Sequence, residues 1–392
     1  MTKPRHDPQT ILVVGSLSSS LKNFRGHLIE DMVRSGHDVH VAAPELIDDL
    51  ATSNWLTLVG ATAHDISLSR TGLSPVEDAK ALFHLYRLMR RIRPGTYLGY
   101  TIKPVIWGLI AAWIAKVPKR VAMITGLGYA FTGEAHGKRL VVQKVVRFLY
   151  ATAMRKANLV FFQNPDDLTD FEHMSLLPTT LPRQIINGSG VDIEHFQPVE
   201  FPNPPMRFLM IARLLGDKGV REYAAAATNV KRNHPEAKFD LVGPIDPNPD
   251  GITEQEIRIW SEKGVIKWHG PTNDVRPFIA NAHVYVLPSY REGTPRTVLE
   301  AMAMGRAIIT TDAPGCRETV IHNGNGLLVQ PRNAEALTAA MLAFVEDAEL
   351  HQSMGKRSTE IVKSKYDVRL VNKSILRAIG KLPPKSKGRI HS

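Results

Sequence analysis

The chain has 392 residues, 43% hydrophobic and 22% charged, with a formal net charge of +11. That length exceeds what one core holds and implies two domains, while the hydrophobic share excludes a disordered chain. The single cysteine, Cys316, excludes an internal disulfide and a cysteine-built zinc site, and fits a reducing compartment.

Read in order, the chain alternates strand and helix throughout, which implies parallel α/β sheets. MTKPRHDPQT runs straight into ILVVGS, a strand and not the apolar core of a secretory signal. LKNFRGHLIEDMVRSG is a helix closed by Gly36, and DVHVAAP is the next strand. A basic helix follows at about 76–92, then an apolar helix at 105–115, VIWGLIAAWIA. Eleven residues are too few to cross a bilayer, which takes about 20 as a helix. The expected protein is therefore soluble or peripheral. RVAMIT and LVFFQN complete the strands of this half.

The segment 186–206, INGSGVDIEHFQPVEFPNPPM, has the glycine and proline content of a linker, and the boundary is set near Phe196. Beyond it the scheme restarts. MRFLMIARLL is a strand running into a loop, with a helix from about Val220 to Asn233. FDLVGP, VIKWHG and HVYVLPS are strands, RTVLEAMAMG a helix ended by Gly305, and AIITTD a strand. NGLLVQP is short and strand-like, and AEALTAAMLAFVED is a strongly periodic helix. The tail KLPPKSKGRIHS reads as disordered. Two doubly wound domains joined in this way bind ligands in a cleft at the carboxyl ends of their strands.

The positive charge is concentrated. Residues 67–156 hold 16 Lys and Arg against 3 Asp and Glu, so the rest of the chain is close to neutral. Within that stretch, 137–158 alternates basic residues with Val, Leu and Phe in a helical pattern, which suits an anionic membrane surface or an acidic ligand. A solvated basic helix face is the plain alternative. No nucleic-acid-binding module accompanies the charge.

Two loops carry the chemistry. In YREGTPRTVLEAMAMG, 290–305, Glu292 and Glu300 flank a Gly-Thr-Pro corner. Thr294 suits a helix N-cap and Pro295 the first helical position, and both glutamates could simply be solvated. HVYVLPS, however, delivers this corner to the carboxyl edge of the second sheet, where a helix start attracts anions. Gly293 allows a ligand close to the backbone, and Glu300, on the second helical turn, can accept sugar hydroxyls. The neighbouring loop ARLLGDKG sets Arg213 and Lys218 around Gly216, a fork and a compact charge for phosphate.

These motifs resemble the family 4 retaining glycosyltransferases of the GT-B fold over nearly the whole length: EGTPRTVLE, ARLLGDKG, NGSGVD at 187–192 and GCRETV at 315–320. YTIKP at 100–104 and ITGLGYAFTG at 124–133 are similar to the bacterial subgroup that builds capsular, exopolysaccharide or glycoprotein-linked glycans on polyprenyl-diphosphate carriers, N-acetylgalactosaminyltransferases included. The resemblance implies an N-terminal acceptor domain at 1–195, a C-terminal donor domain at 196–365, and a terminal helix in 366–392 returning to the first domain. It implies that Arg213 and Lys218 grip the diphosphate of a UDP-linked sugar, Glu300 the ribose, and Glu292 the donor sugar. The N–H groups of Thr297, Val298 and Leu299 would approach the diphosphate, with Gly15 opposite, near acceptor and phosphate. Many relatives carry a histidine near the reacting sugar. Here the region reads TIKP, leaving the role vacant or to Lys103. Gly128 is placed on the acceptor side, and Arg296 stands where relatives are often apolar.

The expected partners are a nucleotide sugar, a polyprenyl-diphosphate-linked acceptor and an anionic membrane surface, at the inner face of the cell membrane. No cofactor and no metal is expected. DPNPD at 246–250 imitates a metal-binding cluster, but its prolines suggest a turn, and the 15 histidines show no ligand spacing. The alternatives are a nucleotide-sugar epimerase or another GT-B enzyme, and a non-catalytic basic module.

Overall fold

The computed structural model describes residues 6–69, 72, 74–127, 138–347 and 349–382. They form two compact units. The first runs to Ile186 and resumes at Asn372; the second is Asn187–Val371.

The first unit is built on seven parallel strands: β1 (Asp7–Val14), β2 (Asp38–Ala43), β3 (Thr62–Asp65), β4 (Pro94–Tyr100), β5 (Lys119–Ile124), β6 (Leu159–Phe162) and β7 (Arg183–Ile185). Their order is β3-β2-β1-β4-β5-β6-β7, so the direction of winding reverses between β1 and β4. The second unit repeats the scheme with β8 (Arg207–Ile211), β9 (Lys238–Val242), β10 (Lys267–Trp268), β11 (Val284–Leu287), β12 (Ala307–Thr311) and β13 (Gly326–Val329). Its order, β10-β9-β8-β11-β12-β13, reverses between β8 and β11. All pairs are parallel, for example Val284 opposite Ala307 and Val121 opposite Leu159. Parallel strands lie between helical layers and are buried on both faces, which is why β11 and β12 read as unbroken apolar runs.

Several elements fall where the sequence sets them, including the helix Val220–Asn233 and the helix Ala334–Glu346. β4 does not. PGTYLGY opens with proline and holds two glycines, a composition that argues against a strand, yet all seven residues are buried. It is a central strand, paired with both β1 and β5. The apolar helix at 105–115 divides into a π-helical turn, Pro104–Gly108, and the helix Leu109–Ile114.

The 186–206 segment also departs from a free linker. The Val191 N–H donates to the Tyr366 carbonyl at 2.9 Å, and the Val368 N–H donates to Val191 at 3.0 Å. Val191 and Phe196 are packed into the second core. The division between the units therefore falls before Asn187, ahead of the expected Phe196. At the other end, the helix Val368–Gly380 passes from the second unit into the first. Asn372 there donates to Asp31 at 2.8 Å, and Gln184 donates to Ser374 at 2.8 Å.

Candidate active site

Ligands of doubly wound sheets sit beyond the carboxyl ends of the strands where winding reverses. In the second unit that point lies between β8 and β11, and it carries both chemical loops. β8 ends at Ile211, and Arg213 follows two residues later. Gly216–Lys218 then forms a tight turn before the helix Val220–Asn233. Gly219 links them at φ 73°, and a side chain there would strike the Pro288 carbonyl.

From β11 the chain passes through Ser289 to Glu292 and reaches the helix Arg296–Ala303. The helix begins one residue later than the Thr294 cap implied: Pro295 is its N-cap, in extended geometry. The Pro295 carbonyl accepts the N–H groups of Val298 at 3.1 Å and Leu299 at 3.3 Å, so these two donors are engaged within the helix start. The side chains of Val298 and Leu299 are fully buried. Thr297 binds the corner to the sheet, its hydroxyl accepting from the Tyr285 hydroxyl at 2.6 Å.

Three of the four charged residues expected here are joined in ion pairs that sequence spacing does not reveal. Lys218 Nζ donates to Glu292 Oε1 at 2.7 Å, with both side chains mostly buried. Burial works against the Lys218 ammonium, but the Glu292 and Asp217 carboxylates together outweigh it and hold the pKa above its ordinary value. Arg213 Nη1 donates to Asp246 Oδ2 at 2.8 Å. Glu300 is 5% exposed, and burial raises its pKa while Arg296, one helical turn before it, pulls the other way. The Arg296 Nε to Glu300 Oε1 distance is 2.8 Å, which gives Arg296 a partner.

The GCRETV segment supports this arrangement from below. Gly315, at φ 80°, lies against the Glu292 carbonyl where a side chain would clash, and the Glu292 N–H donates to the Pro314 carbonyl at 2.9 Å. Cys316 is fully buried, and burial pushes its thiol up to about 12, so it is inert packing. Among the described residues no cluster of His, Cys, Asp and Glu could hold a metal ion.

In the first unit, Gly15 follows β1 at the point where that sheet's winding reverses, pressed against the Tyr100 hydroxyl at the end of β4. Lys103 stands at the start of the π-helical turn, 7% exposed, donating to Asp78 at 2.8 Å and Ser69 at 2.5 Å. Its ammonium is thus held inside the fold by a buried carboxylate. Gly128 lies outside the described residues.

Two family profiles match the chain: Glycosyl transferases group 1 over residues 191–361, and Glycosyl transferase 4-like over residues 11–164. The chain belongs to the group 1, family 4-like glycosyltransferases, and its two parallel sheets are those of the GT-B fold. It is 28% identical to the N,N'-diacetylbacillosaminyl-diphospho-undecaprenol alpha-1,3-N-acetylgalactosaminyltransferase of Campylobacter jejuni, over 88% of this chain and 93% of that one. It is 25% identical to the UDP-Gal:alpha-D-GlcNAc-diphosphoundecaprenol alpha-1,3-galactosyltransferase of Escherichia coli, over 77% of this chain and 79% of that one. Among solved structures, Anabaena HepE in complex with UDP aligns with a TM-score of 0.75 at 19% identity, covering 95% of this chain and 100% of that one.

Proposed function

We propose that the protein is a retaining transferase that moves a hexose, N-acetylhexosamine or uronic acid from a UDP-linked donor to a polyprenyl-diphosphate-linked glycan. The observation that carries this reading is the convergence of Arg213, Lys218, Glu292 and Glu300 at the switch point between β8 and β11. The names of the Campylobacter and Escherichia relatives support the acceptor class, and the second of them, with the HepE complex, supports UDP.

Each residue has a task that its chemistry suits. Glycosyl transfer passes through an oxocarbenium-like state while negative charge grows on the departing diphosphate. Arg213 and Lys218 stabilise that charge, and removing one such group commonly costs about 3 kcal/mol of barrier. Glu292 keeps Lys218 charged and accepts donor-sugar hydroxyls, and Glu300 accepts the ribose hydroxyls. The Thr297 backbone and Gly293 line the diphosphate. Gly15 stands near the donor phosphate and the acceptor, while Lys103, committed to Asp78, serves the fold.

The membrane partner falls to the helix Lys138–Met154. Leu140, Val141, Val145 and Phe148 are exposed on it, beside exposed Lys144 and Arg147. Apolar side chains set among cations suit an anionic leaflet. Among the described residues no helix is long and apolar enough to cross a membrane.

A thermal-shift screen of nucleotide sugars tests the donor. UDP-linked sugars raise the melting temperature, and a screen in which none does so overturns the reading. Flotation with vesicles tests the surface: equal binding to anionic and neutral lipid removes the membrane partner.

A further inference from the structure

The acidic segment 246–250 is unused by the chemistry above. In the structure it is fastened along its length to the loop that bears the two cations. The Leu214 N–H donates to the Pro244 carbonyl at 3.0 Å, Gly216 to Asp250 at 2.8 Å, and Ile252 to Leu214 at 2.9 Å. The Asp217 N–H donates to the Asp250 carboxylate at 3.1 Å.

Within this zipped pair of loops Asp246 makes two contacts. Its Oδ1 accepts the Asn248 N–H at 3.0 Å, which closes its own turn. Its Oδ2 accepts Arg213 Nη1 at 2.8 Å. The two partners differ in exposure: the Asp246 side chain is 16% exposed and the Arg213 side chain 52%. A largely buried carboxylate therefore holds one nitrogen of a guanidinium on a half-exposed side chain. A guanidinium carries five N–H donors in a rigid fork, so one nitrogen can be anchored while the others engage an anion.

We propose that Asp246 is a positioning residue for Arg213, anchoring one edge of the guanidinium so that its free edge is presented to the donor diphosphate. The proposal rests on the assignment of Arg213 to that diphosphate. It differs in sign from a plain counter-ion effect. If Asp246 merely neutralised the site, removing its charge would strengthen diphosphate binding. If it aims Arg213 at charge that grows in the transition state, removing its charge lowers kcat and leaves the donor KM little changed.

The experiment is a double-mutant cycle with Asp246→Asn, Arg213→Ala and the pair, measured at saturating acceptor with the donor varied. Asparagine keeps the oxygen that accepts the Asn248 N–H, so the turn is preserved, and melting temperatures confirm that each variant folds. Asp246→Asn is expected to lower kcat about tenfold in the Arg213 background and to have no further effect in Arg213→Ala. Asp246→Glu is expected to recover part of the loss. An equal loss in both backgrounds overturns the proposal, because the loop's integrity alone would explain it. A lower donor KM at unchanged kcat overturns it in favour of the counter-ion. Wild-type turnover in Asp246→Asn alongside a slow Arg213→Ala removes Asp246's role and keeps the diphosphate assignment. Wild-type turnover in Arg213→Ala removes both.

Discussion

The two winding-reversal points of this molecule share a topology and differ in chemistry. At the end of β8 and β11 the cations are less enclosed: Arg213 is half exposed, and Lys218, though mostly buried, is 16% exposed. At the end of β1 and β4 the charges face inward. Lys103 and Asp78 form a pair with side chains 7% and 6% exposed, and Arg25, 3% exposed, lies over the Tyr100 ring at 5.3 Å. The Arg25 pKa is lowered to about 10, first by burial and against the opposing influence of Tyr100, so the guanidinium remains charged at neutral pH. One topology thus carries partly exposed cations in the second unit and charges sealed into packing in the first. The fold sets the address, and the side chains set the use.

The sharpest way to break this comparison is to remove one member of each pair. Asp78→Ala leaves the Lys103 ammonium buried without its carboxylate. Stability is expected to fall by about 3 kcal/mol or more, read by urea denaturation. A loss below about 1 kcal/mol would mean that Lys103 reaches water and is free for chemistry. Lys218→Ala, by contrast, is expected to cost about a hundredfold in kcat if Lys218 has the proposed diphosphate role. Its stability falls less than that of Asp78→Ala, because the Glu292 it leaves is more exposed than Lys103. Equal losses of stability in the two variants would erase the distinction.

A smaller effect sharpens it further. Ionisation of Glu300 works against its burial, so with a raised pKa in the folded state its charge appears only as pH rises through a value above the usual glutamate range. On the proposed role of Glu300, the protonated side chain below that value accepts ribose hydroxyls less well. The acid limb of kcat/KM for the donor therefore lies above that of an exposed glutamate. Arg296→Met removes the opposing influence and is expected to move that limb to still higher pH. An acid limb unmoved by Arg296→Met would show that another group sets it.

Much of this was open to reading in the chain itself. Alternating apolar runs and helical periods gave the parallel α/β class, because each such pattern is local. That the loops at 213–218 and 292–300 stand at strand ends was legible because each follows directly on an apolar run. Arg296 as the partner of Glu300 was also within reach, since residues four apart share a helix face.

Only the tertiary structure made Pro94–Tyr100 a central strand, since its neighbours β1 and β5 bury a composition that would not form a strand unaided. It alone joined Lys218 to Glu292, 74 residues apart, and Arg213 to Asp246, 33 apart. It also gave residues 187–206 to the second unit. Sequence determines what the local backbone prefers and which side chains stand at strand ends. Which carboxylate meets which cation depends on the order of strands in the sheet, and long-range packing decides that order.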